Sequence, residues 1–185
     1  MIAITRRTLG LAAALAALSF LPAYAQDASK SSAKGSLDAA DRKFVEKAAA
    51  GGLAEVEMGR LANTKGMNQG VKDFGARMVQ DHGRANEELK TLAANKGVTL
   101  PTGPDKSHQK KMDKMNKVAA EKFDPEYMED MVKDHKEDVK DFEKQAKNAK
   151  DADVRAFAAK TLPVLQEHLK LAEQTRDAVK SAKKK

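Results

Sequence analysis

Val71-Lys72-Asp73-Phe74-Gly75-Ala76-Arg77-Met78-Val79-Gln80-Asp81-His82-Gly83-Arg84-Ala85-Asn86-Glu87-Glu88-Leu89 is the stretch whose reading decides the fold. On a helical wheel at about 100° per residue, Val71, Phe74, Gly75, Met78, Ala85, Leu89 and Leu92 share one arc of about 100°. Most charged residues fall outside that arc, so the stretch reads as a helix that buries one face. The middle of the buried face is not apolar. His82 occupies it.

The same pattern recurs downstream. Met128, Met131, Val132, Val139, Phe142 and Ala146 form an arc with His135 in its middle, and Val154, Phe157, Ala158, Thr161, Leu165, Ala172 and Val179 form one that contains His168. Tyr127-x3-Met131-Val132-Lys133-Asp134-His135 echoes Phe74-x3-Met78-Val79-Gln80-Asp81-His82, and Val164-Leu165-Gln166-Glu167-His168 is a looser copy. Helical patterning alone could produce echoes this short. Upstream, Phe44, Ala48, Gly52, Gly59 and Ala62 make a fourth arc, whose one charged member is Glu55. Asp81, Asp134 and Glu167 fall at or beyond the arc edges.

Local signals set the expected boundaries. A first helix spans residues 37–64 with Ser36 or Asp38 as cap, and 65–68 form a turn. A second spans 69–96 and stops at Gly97. Residues 98–104 are a loop with two prolines, and a polar helix follows over 105–122. Asp124-Pro125 reads as a helix restart, with Asp as N-cap and Pro in the first turn. The third long helix then covers 125–148, and Asp151 caps the fourth, which runs to about 179. Four long helices joined in this way read as an all-α, antiparallel four-helix bundle, residues 37–180, with an extra polar helix in the connection between the second and third. Gly51, Gly52, Gly59 and Gly75 weaken their helices by about 1 kcal/mol each relative to Ala, a cost whose use is close approach of the first helix to the second. Pro163 predicts a kink one turn before His168.

The interior therefore holds Glu55, His82, His135 and His168, at heights agreeing within about two helical turns. An isolated charge there costs several kcal/mol, so these groups must be paired, neutralised or metal-bound. Two readings stand open. One is a hydrogen-bonded cluster that satisfies itself. The other is a three-histidine, one-carboxylate site for one transition-metal ion (Fe, Zn, Mn or Cu), since imidazole and carboxylate suit those ions. Met78, Met131 and Met58 read as gap fillers in a core poor in aromatics rather than as soft ligands. His108, among Lys106, Lys110 and Lys111, reads as solvated.

Composition excludes much else. The 185 residues contain no Cys, so disulfide scaffolds, thiolate metal sites and iron–sulfur clusters are ruled out. Nucleotide-loop and nucleophile-elbow motifs are missing. The net charge is +7, but lysines alternate with acids and only 4% of residues are aromatic, which argues against nucleic acid. The Lys-rich polar helix and the 181–185 tail could instead meet an anionic envelope surface, or serve only as solvated faces that aid solubility. The sequence does not identify a protein partner.

Residues 1–25 read as a signal peptide, with Arg6-Arg7 charged, 9–21 apolar and Ala23-Tyr24-Ala25 matching a small-x-small cleavage site. The apolar run is shorter than the roughly 20 residues of a membrane span. Thr5-Arg6-Arg7-Thr8-Leu9-Gly10 also resembles a twin-arginine signal; an ordinary Sec signal fits as well. Both point to the periplasm or the outer-membrane periphery. Residues 26–36, polar and small, read as a disordered tether.

Ala49-Ala50-Gly51-Gly52-Leu53-Ala54-Glu55-Val56, Val71-Lys72-Asp73-Phe74-Gly75, Met78-Val79-Gln80-Asp81-His82, Phe123-Asp124, Met131-Val132-Lys133-Asp134-His135 and Thr161-Leu162-Pro163-x4-His168-Leu169 together resemble the bacterial domain of unknown function family 4142. The resemblance extends over about residues 41–179. It implies an exported protein, often labelled a predicted outer-membrane protein, with a ferritin-like fold and a metal centre as an option. The di-iron pattern of such folds needs Glu-x-x-His on two helices. Val79, Val132 and Leu165 stand three residues before the histidines here, so the resemblance implies at most a mononuclear or histidine-rich site.

Overall fold

A computed structural model describes residues 36–182. The expected signal peptide, nearly all of the tether, and the last three lysines lie outside the described residues. Five α-helices and no strand are found among those described: α1 (Ala39–Lys65), α2 (Gln69–Asn95), α3 (Lys106–Lys117), α4 (Ala120–Asn148) and α5 (Ala152–Ala182). None is long and apolar enough to cross a membrane.

Side-chain caps start four of them. Asp38 accepts from the N–H groups of Ala40 and Asp41 at 2.9 and 2.8 Å, and Asn68 from Gly70 at 2.8 Å. Asp105 accepts from Ser107 and His108, and Asp151 from Asp153 and Val154. Each satisfies amides left over at a helix start. The second helix closes through Gly97, at φ 64°, with Val98 N–H on the carbonyl of Ala93 at 2.9 Å. That pairing needs a left-handed residue, which Gly supplies without strain.

The expected restart at Asp124-Pro125 is not what forms. The polar helix ends at Lys117, five residues early, because the Lys65 ammonium donates to the carbonyls of Met115, Asn116 and Val118 at 3.3, 2.7 and 2.8 Å. The fourth helix then starts at Ala120 and carries Pro125 inside it. Asp124 caps a different segment. Its carboxylate accepts from Met67 N–H and Asn68 N–H, the latter at 2.7 Å, in the turn between α1 and α2. An interior Pro costs about 3 kcal/mol. Burial of Phe123, about 1.5–3 kcal/mol, and the hydrogen bonds to Asp124, about 1 kcal/mol each, offset it. The last helix also runs further than expected, taking in Ser181 and Ala182.

Two apolar clusters fill the interior, and their membership fixes the helix directions. One joins Phe44 and Val45 of α1, Leu89 and Leu92 of α2, Phe142 of α4, and Val154 and Phe157 of α5. The other joins Met58 and Ala62, Val71 and Phe74, Tyr127 and Met128, and Ala172 and Val179, from the opposite ends of the same helices. Hence α1 and α5 run one way, and α2 and α4 the other. Helix α2 is followed by a segment that returns the chain along the molecule, α3 included, with Met115 sunk into the second cluster. Helices α1 and α2 pack as one hairpin, α4 and α5 as another, with further contacts of α2 to α5 and of α1 to α4. Each of these neighbouring pairs is antiparallel.

Small residues set the closest approach between α1 and α2. A methyl added at Gly59 would lie 2.5 Å from the Gly75 carbonyl oxygen, and one at Gly75 would lie 2.7 Å from that of Gly59. Gly52 makes room for the Asn86 side chain, whereas nothing lies near Gly51. Between the two clusters sits a polar stratum of Glu55, Asp81, His82, His135 and His168, all buried.

Candidate metal centre

His82, His135 and His168 come from α2, α4 and α5 and are 7%, 0% and 1% exposed. Their ring centroids lie 5.3–5.8 Å apart. One donor atom from each ring lies within 4.8 Å of the others. The faces predicted from helical periodicity thus bring the three imidazoles together.

Hydrogen bonds fix the tautomers of two of them. The Nδ1–H of His135 donates to the Met131 carbonyl at 2.9 Å. A carbonyl only accepts, so the proton is on Nδ1 and the lone pair on Nε2. His168 lies with Nε2 at 2.9 Å from Asp81 Oδ2. Burial pushes Asp81 up, but hydrogen bonds from His168, Arg77 and Arg84 outweigh it and hold the carboxyl at about 2. As an ionised carboxylate Asp81 accepts, so His168 donates from Nε2 and keeps its lone pair on Nδ1. These two nitrogens, Nε2 of His135 and Nδ1 of His168, are buried without a hydrogen-bond partner, as is Nε2 of His82.

Electrostatics keep the rings neutral. Burial pushes His82 well below its ordinary value, and the charges that His135 and His168 would carry add to this. Burial lowers His135 as well, against the pull of Asp138. It lowers His168 to about 4, with Asp81 pulling the other way. Three neutral imidazoles thus lie close together, each with one buried ring nitrogen unpartnered and two with the other N–H anchored. Ligand histidines of metal sites are oriented in this way, through the second ring nitrogen. Buried apolar residues stand one turn before each histidine on its own helix, Met78, Met131 and Leu165, and Phe74 meets His135 edge-on at 6.0 Å.

Glu55 stands differently. It is buried and lines a cleft of about 260 Å³ that also reaches His82. The group of donor atoms within 4.8 Å of one another contains the three imidazoles without this carboxylate. Burial pushes Glu55 up to about 8, Asp134 adds to the rise, and Lys111 opposes it. A second cleft, of about 310 Å³, lies beside α2 and α5 and is lined by His82 and His168.

The wheel misjudged two side chains. Asp81, at the arc edge, is 6% exposed and reaches inward to His168. Its signal was present in Arg77 and Arg84, one turn to each side, which bracket a carboxylate that must stay ionised indoors. His108 is not solvated: it is half-buried, with Nδ1 3.0 Å from an Asp105 carboxylate oxygen, on the wall of the first cleft. Asp134 pairs with Lys111, and Glu167 is exposed, both as their edge positions imply.

Fold and site together define an all-helical protein with three inward-facing histidines between two apolar clusters. The chain belongs to the family described as Domain of unknown function (DUF4142), which matches it over residues 26–175. No curated protein and no solved structure matches it.

Proposed function

We propose that this protein binds one transition-metal ion through His82, His135 and His168. The observation that carries this reading is the set of three buried, unpartnered ring nitrogens, two of them on imidazoles whose other nitrogen is held by Met131 or Asp81. A self-satisfying polar cluster would have paired those nitrogens, since an unmade buried hydrogen bond costs about 1–3 kcal/mol. Neutral nitrogen donors suit Zn, Fe, Cu, Co or Mn over the oxygen-seeking Mg and Ca. A water admitted by the adjoining cleft would complete the set, since Glu55 lies outside the group of donor atoms within 4.8 Å. Bringing three imidazoles to about 2.0–2.1 Å from one ion needs only small ring movements from their present spacing.

We further propose that the helices form a four-helix bundle of ferritin-like connection. Antiparallel neighbours and a single long crossover carrying α3 support this. Export to the periplasm is proposed from Arg6-Arg7, the apolar run after them and Ala23-Tyr24-Ala25. Lys106, Lys110, Lys114 and Lys117, exposed along α3, are proposed to meet anionic lipid, a contact that vesicle co-sedimentation tests.

Metal analysis of protein purified from the periplasm, with and without His82→Ala and His135→Ala, tests the central reading. About one ion per chain, lost in both variants, is expected. Protein that carries no ion and takes up none from Zn²⁺ or Co²⁺ overturns it.

A further inference from the structure

The first cleft holds more acid than three histidines require. Lys111 lies 2.5 and 2.6 Å from the Asp134 carboxylate, and Lys47 pairs with Asp141, so these charges cancel. Asp105 meets His108 and Glu137 is exposed, which leaves Glu55 and Asp138 as the cleft's inner unpaired carboxyls. Both line the cleft, and neither has a hydrogen bond or a cationic partner within ion-pair distance among the described residues. Glu55 is 6% exposed, and its Oε2 is fully buried without a partner. Asp138 lies one helical turn beyond His135. Burial pushes it up to about 7, and the nearby Glu55 charge adds to the rise. Two unpaired carboxyls, Glu55 raising Asp138, in a cleft that also reaches His82, form a site short of a cation.

We propose that Glu55 and Asp138 form a loading site that takes a hydrated divalent metal ion from solvent and passes it to His82, His135 and His168. This deepens the three-histidine reading and rests on it. Size supports it: six waters at about 30 Å³ each occupy about 180 Å³, less than the 260 Å³ of the cleft. Donor chemistry supports it too. Carboxylate oxygens hold an ion that keeps most of its water, whereas the imidazoles behind them are buried and receive an ion that has shed it. His82 borders the cleft and belongs to the triad, so each water lost can be replaced by one imidazole. The carboxyls release to solvent whatever protons they hold as the ion arrives.

The test is Co²⁺ loading of the metal-free protein, followed by stopped-flow absorbance at low and high salt. For Glu55→Gln with Asp138→Asn, loading is expected to slow by about tenfold or more at low salt, with the final Co²⁺ content and affinity within about threefold of wild type. A control with exposed Glu57 and Glu87 changed to Gln should load as wild type does. An unchanged rate in the cleft variant, or a lost Co²⁺ content in that variant, overturns the loading site while the triad stands. Wild-type protein that binds no Co²⁺ overturns the triad and the loading site together.

Discussion

His168 donates its Nε2–H to Asp81 Oδ2 across 2.9 Å, with both side chains almost wholly buried. The bond ties α5 to α2 at mid-height and decides which nitrogen of His168 faces the other two rings. Asp81 can do this as an anion because Arg77 and Arg84 flank it.

Asp81→Asn keeps the shape and removes the charge. The amide can offer either an oxygen or an N–H, so the His168 tautomer is no longer fixed. Metal affinity is expected to fall about 10–100-fold, as for other outer partners of ligand histidines. Competition titration with a chromophoric Zn²⁺ chelator measures it, and an affinity equal to wild type removes Asp81 from the account.

Stability of the metal-free protein should bend with pH in a stated direction. Glu55 and Asp138 are held above their ordinary values of 4.5 and 3.8, at about 8 and about 7. Their contribution is complete below the ordinary values and is lost as pH rises through the raised ones. His168 is held below 6.5, at about 4, so its neutral burial costs more as pH falls through that window. Above pH 6.5 the carboxyls dominate, and stability should decline toward pH 8 by at most about 1.4 kcal/mol per unit for each group. Urea unfolding across pH 4–8 reads this. Glu55→Gln should flatten the alkaline limb, and an unaltered limb in that variant contradicts the burial of Glu55.

Two glycine substitutions should differ in sign. Gly75→Ala drives a methyl to 2.7 Å from the Gly59 carbonyl oxygen, and backbone cannot step aside cheaply. Overpacking of about 1–3 kcal/mol should exceed the helix-propensity gain of about 1 kcal/mol, so the protein loses stability. At Gly83 nothing lies within 4 Å of the added carbon. Gly83→Ala should stabilise by up to about 1 kcal/mol. Thermal melts of the pair give both answers, and the same sign for both contradicts the packing described.

Asp124→Ala should cost about 2 kcal/mol, because the amides of Met67 and Asn68 lose their acceptor in a part-buried turn. Hydrogen exchange at those two amides should quicken more than at α3. Uniform exchange across the protein would show that Asp124 does not hold that turn.

Asp124 also marks where a sequence stops being readable. The caps at Asp38, Asp105 and Asp151 act within three residues, so their chemistry is visible locally. Asp124 carries the same local signature before Pro125, but its partners are 56 and 57 residues away. The inward faces of His82, His135 and His168 were legible because helical periodicity constrains direction. The reach of Asp81 was not, because a side chain at the arc edge can bend either way and only its neighbours decide. The antiparallel run of each hairpin was legible from its short turn, but the direction of the second hairpin relative to the first was not: the connection through α3 is compatible with either, and only the shared clusters of Phe44 with Phe142 and Met58 with Met128 reveal the crossover.

The polar stratum has one more consequence. His82 belongs to one helical hairpin, while His135 and His168 belong to the other. An ion gripped by all three would therefore act as a rivet through the waist of the molecule, and shedding it would let the halves breathe against each other along a seam that no covalent link crosses except the α3 strap.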